Sequence, residues 1–139
     1  MKANTLYKIA SVLLVFFAAG HTFGFLNFKP PSPEGRAVYD SMNSVHFQVK
    51  GSNFSYGGFY RGFGLSITVY LFFSAFLAWY LGAWAGSNLR ATATLGWALC
   101  AVQLVSLVLS WIYFSVVPAM FSALVAVCLG WAAWLAAGP

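Results

Sequence analysis

Few side chains in this 139-residue sequence can do chemistry. It has two histidines, His21 and His46, two acids, Glu34 and Asp40, and two cysteines, Cys100 and Cys128, beside seven Lys and Arg residues. Neutral imidazole is a standard axial ligand, so His21 and His46 together could hold a haem iron. A metal ion held by both histidines with Glu34 or Asp40 is a second use of the same groups. The plainer readings are an interhelical hydrogen bond for His21 and a wetted helix edge for His46. No Ser or Cys lies near a His and an acid in a familiar nucleophile arrangement, so no residue is assigned as catalytic. The glycines of residues 57–64 follow no strand pattern and end in no Gly-Lys-Ser/Thr, which excludes a phosphate-binding loop of the Walker type.

The elements that must position these groups are almost all apolar. Sixty-one per cent of the residues are hydrophobic and 6% charged, against about 45–50% and about 25% in ordinary globular domains. A soluble fold of this size could not cover that surface with polar groups, so lipid must. The net charge of +5 is spread from Lys2 to Arg90 and forms no patch for nucleic acid. Cys100 and Cys128 fall inside apolar runs and read as small packing residues, not as a disulfide.

In chain order, the apolar run Ile9–Leu26 is longer than a signal-peptide core and is followed by no Ala-x-Ala site, so it reads as a retained first span. Gly20 and Gly24 share one of its faces and would let a second helix approach. Ser32-Pro33-Glu34 is a helix start, with an N-cap, Pro at the first helical position and an acid in the first turn. Val38, Met42, Val45 and Val49 recur at helical spacing, which predicts an amphipathic interfacial helix over about 33–50, ending at Gly51. Phe47 falls on the polar side of that wheel. The stretch that follows, to Gly64, alternates glycines and aromatics and suits the headgroup level. Gln103, near the middle of the third span, is placed to bond across helices.

The expected fold is an all-α membrane protein. A single membrane domain over 1–139 forms a four-transmembrane-helix bundle, with spans at about 5–27, 59–84, 91–114 and 117–137. Trp79, Trp84, Trp97, Trp131 and Trp134 mark the membrane face that carries both termini, and Trp111 marks the opposite face. Lys2 and Lys8 flank the first span and favour cytoplasmic termini.

Residues 18–25, Ala-Ala-Gly-His-Thr-Phe-Gly-Phe, together with 45–64, from Val45-His46-Phe47 to Tyr60-Arg61-Gly62-Phe63-Gly64, carry a resemblance. They resemble a family of small four-span integral membrane proteins of bacteria to which no activity is attached. The resemblance covers the first half of the chain and implies a bacterial inner membrane. Two functional readings follow. In the first, the chain is a non-catalytic accessory subunit that docks in the bilayer against other membrane subunits or its own copies. In the second, it binds a lipid, quinone or haem under the amphipathic helix, with His21, His46 and Arg61 as polar anchors.

Overall fold

The computed structural model describes residues 2–138. Among the described residues four helices are long and apolar enough to cross a membrane: α1 (Ala3–Leu26), α3 (Tyr56–Trp84), α4 (Leu89–Tyr113) and α5 (Val116–Ala137). Between α1 and α3 lie a short helix α2 (Pro33–Ser44) and a hairpin of β1 (His46–Val49) and β2 (Ser52–Ser55). The chain is a multi-pass membrane protein. The start of α1, the end of α3, the start of α4 and the end of α5 meet at one face, where Gly82 approaches Asn4 and Gly96 approaches Tyr7 and Ala133.

α1 is the central helix. It packs along α3 on one side and α5 on the other, and α4 completes the bundle by pairing with α5. α3 and α4 are consecutive in sequence but touch little. The buried positions of α1 are Leu6, Tyr7, Ala10, Ser11, Leu14 and Ala18, among which Tyr7, Ser11, Leu14 and Ala18 are spaced four, three and four. That heptad-like seam keeps one stripe of a helix against its neighbour. Much of the facing surface is alanine (Ala75 and Ala78 on α3, Ala126 and Ala132 on α5), which lets backbones come close.

The membrane-level polar groups on α1 join it to its neighbours. Tyr7 donates to the Thr92 carbonyl of α4 at 2.9 Å, and Ser11 donates to the Ala75 carbonyl of α3 at 2.7 Å. Hydrocarbon offers no competing partner, so each polar group must be satisfied inside the protein. Gly96 is required for the first of these bonds, since a Cβ there would overlap the Tyr7 hydroxyl. Cys100 is buried and its thiol donates to the Ala126 carbonyl at 3.3 Å, so both cysteines are free and Cys100 helps join α4 to α5. Outside this core the expected tryptophan belt is exposed, and the Lys8 ammonium lies 5.3 Å from the ring centre of Trp79.

The segment between α1 and α3 departs from expectation in one respect. Ser32 caps α2, accepting from the Gly35 amide at 3.0 Å with Pro33 behind it, as its sequence requires. The helix then stops at Ser44 and does not continue to 50. Residues 46–49 are a strand, paired antiparallel with 52–55 in the register His46↔Ser55, Phe47↔Phe54 and Val49↔Ser52. Lys50 and Gly51 form its two-residue turn, both at positive φ (48° and 85°), as the mirror-image hairpin turns demand. The physical reason is parity: Val45 and Val49 are four apart, which satisfies a helical wheel and a period of two equally. Phe47, wrong for the wheel, is right for the strand. Its ring packs 4.8 Å from Tyr56 and edge-on at 5.9 Å to Phe59, fastening the hairpin to the start of α3. Val38 and Met42 of α2, with Val45 just past its end, line an open groove, consistent with an interfacial helix.

Gln103 also departs from expectation. It is 2% exposed, yet its Oε1 has no partner among the described residues, nor does the Oγ of buried Ser122 on α5. Orphaned polar groups of this kind cost about 1–3 kcal/mol each.

Two predictions follow from these elements. Lys50→Asn should increase hydrogen-exchange protection of the hairpin amides, because Asn tolerates the left-handed region better than Lys, whereas Lys50→Val should reduce it. Unchanged protection in both variants would contradict the turn geometry. Gln103→Met, close in volume, should leave the thermal midpoint of the detergent-solubilised protein unchanged or raise it; a fall of several degrees would mean that Gln103 is bonded after all.

Candidate functional site

The groups singled out from the sequence gather around one end of α3. This helix has 29 residues, so it is about 44 Å long, well over the ~30 Å of bilayer hydrocarbon. Counting back from Trp84, the ~20 residues needed to cross end near Leu65. The turns from Tyr56 to Gly64 therefore rise into the headgroup region, where α2 and the hairpin pack on them.

His21 sits on α1 at the level of Gly64. Its Nε2 lies 3.0 Å from the Gly64 carbonyl oxygen. A carbonyl only accepts, so Nε2 carries a proton and donates it to Gly64. Of the neighbouring hydroxyls Thr68 also approaches that carbonyl, which has a second lone pair for it. Thr22 donates to the Ala18 carbonyl at 2.7 Å, and Thr68 donates to the Thr22 oxygen at 2.9 Å, a better contact than its own 3.4 Å approach to Gly64. His21 thus fastens α1 to α3 near the headgroup boundary.

Above His21 the aromatic rings continue upward. Phe25, one turn on, stacks on the imidazole with centroids 5.8 Å apart and planes 8° from parallel. Tyr60 tilts against Phe25 at 5.4 Å. Gly64 is what allows this, since a Cβ at that position would fall into the Phe25 ring. Phe25 and Tyr60 then form part of the wall of a cavity of about 300 Å³, closed by Leu26 and Phe28 at the end of α1, Tyr39 of α2 and Arg61 of α3. Of the three polar anchors expected from the sequence Arg61 lines this cavity and His21 and His46 do not, and α2 contributes Tyr39 to its wall.

His46 is elsewhere. It is exposed, its Nδ1 bonds the Ser44 carbonyl at 2.7 Å, and it pairs in register with Ser55. Ser55 precedes Gly64 by nine residues, about 13 Å along α3. The two imidazoles therefore engage separate carbonyls at separate levels and do not converge on a common point. Among the described residues no three His, Cys, Asp or Glu side chains come together in a metal-holding group.

Sequence reasoning missed Phe25, Phe28, Tyr39 and Tyr60 as cavity walls and Gly64 as their support. The signal that was available is the coincidence of His21 and Phe25, four apart on one helix face, with a small residue four positions after Tyr60. His21→Ala should destabilise the protein by about 0.6 kcal/mol, the average for membrane interhelical bonds, and by no more than about 1.7 kcal/mol, the largest. His21→Gln, whose amide nitrogen can reach the same carbonyl, should recover part of the loss. Thermal melts in one detergent compare them, and equal losses in the two variants would remove the hydrogen bond from the explanation.

Comparison with protein-family models, with curated proteins and with solved structures finds no match to this chain.

Proposed function

We propose that this chain is a non-catalytic accessory subunit of the bacterial inner membrane, with both termini in the cytoplasm, that docks by α1 against a transmembrane helix of a larger partner. The observation that carries this reading is the placement of Gly20 and Gly24. Both are exposed, and a Cβ added to either would meet nothing within 4 Å. The glycines that serve packing inside the bundle are others, chiefly Gly64, Gly82 and Gly96. Two glycines four apart in a span weaken the helix itself, because glycine is the poorest helix former after proline. They are of use where a second backbone must come close, and the fold leaves that face of α1 open. Ala19 and Phe23 flank the groove and are exposed as well.

A tagged chain drawn from its native membrane in mild detergent should bring down a larger membrane protein in stoichiometric amount. The double variant Gly20→Leu/Gly24→Leu should lose that partner and keep or raise its own thermal midpoint, since both sites have room for the side chain and leucine is the better helix former. A wild-type protein that purifies alone, or as its own oligomer, would sink the reading. So would a double variant that keeps the partner.

A further inference from the structure

The cavity under α2 has a composition that points to one class of ligand. Four of its six lining residues are aromatic (Phe25, Phe28, Tyr39 and Tyr60), one is Leu26, and the sixth is Arg61. The chain has only two acids, Glu34 and Asp40, and neither lines it. Arg61 is exposed and shares the wall with aromatic residues and no carboxylate, which makes the mouth of the cavity a positive site open to the membrane surface. Its depth is fixed by α3. Arg61 lies four residues beyond Leu65, about 6 Å past the end of the hydrocarbon, which is the level of glycerol and phosphate. The volume of about 300 Å³ is at the lower end for small-molecule pockets, enough for a headgroup and too little for acyl chains. Those chains have an exit along Leu26 and Phe28, which are 55% and 52% exposed.

We propose that this cavity is a binding site for the phosphodiester headgroup of an anionic glycerophospholipid. Arg61 holds two phosphate oxygens through its planar fork, the geometry for which guanidinium is suited. The phenols of Tyr39 and Tyr60 supply further donors, and the Phe25 and Phe28 rings cover the glycerol. Phe25 cannot give way, because His21 lies on one side of it and Gly64 on another. The site is independent of the docking face on α1 and stands whether or not the chain has a protein partner.

Native mass spectrometry of the full chain in detergent, titrated with phosphatidylglycerol or phosphatidylcholine, tests this. One phosphatidylglycerol should remain bound where phosphatidylcholine is lost, and inorganic phosphate at millimolar concentration should not displace it. Arg61→Gln should weaken the adduct by about tenfold or more, since a charge-assisted contact is removed. Arg36→Gln, on α2 and outside the cavity, should bind as the wild type does. Should Arg61→Gln fail to fold, Leu26→Trp decides: it fills the cavity while keeping the charge and should abolish the adduct. Equal retention of the two lipids would overturn the proposal, as would an adduct that survives Arg61→Gln or Leu26→Trp. Displacement by inorganic phosphate alone would overturn it in favour of a free-anion site.

Discussion

The structure depends on how closely α1 can lie between α3 and α5. Hydrophobicity does not drive helices together in lipid, because tails are as apolar as the side chains they would replace. Close backbones and satisfied polar groups have to do so. α1 supplies both. Its buried face alternates a large residue with small ones, and Tyr7, Ser11, Thr22 and His21 each reach a neighbouring helix. Removing these contacts would leave polar groups in hydrocarbon without partners, and that penalty exceeds the modest value of each bond made. α4 is held mainly through α5, and α3 through α1. α1 is therefore the span on which α3 and α5 assemble, and α4 joins through α5.

The spans were legible in the sequence because hydropathy over ~20 residues is a strong signal and lipid tolerates few exceptions to it. The extramembrane segment was less so. Val45 and Val49 satisfy two periods, and only Phe47 separates them; its misfit on the wheel was evidence for a strand. The pair Lys50-Gly51 reads as a C-cap when a helix is expected and as a hairpin turn when it is not. Glycine spacing was legible only in part. Gly20 and Gly24 have the motif spacing yet face out of the bundle, whereas Gly64 and Gly96, in no such motif, receive the rings of Phe25 and Tyr7. Spacing along one helix states which residues share a face. It does not state which way that face points.

The candidate site was legible as a set of residues and not as a place. His21, His46 and Arg61 all lie toward one membrane face, and depth can be estimated from the chain. Convergence cannot, because it depends on rotation of α1 about its axis and on the path of 45–55. A strand rises about 3.3 Å per residue against 1.5 Å for a helix, so the switch from helix to hairpin alone moves His46 well away from any position a continuing helix would give it. The hairpin carries His46 to the Ser55 end of α3, while His21 faces Gly64. Arg61, between the two, reaches the cavity.

The histidine that looked most like a ligand has a different physical role in this fold. Its proton is committed to a backbone carbonyl, and its ring face is committed to Phe25. Both commitments act on the same two neighbours, since Gly64 offers the carbonyl and, having no Cβ, also the room for Phe25. The arrangement fixes the height and the tilt of the cavity wall above it. A fixed wall matters at the headgroup level, where water competes for every hydrogen bond and a loose pocket would hold no geometry for a fork of donors. The coupling runs from a buried bond between two spans, through one stacked ring, to the place where Arg61 meets the lipid boundary. Bundle stability and the shape of the cavity are in that sense one property of the α1–α3 interface.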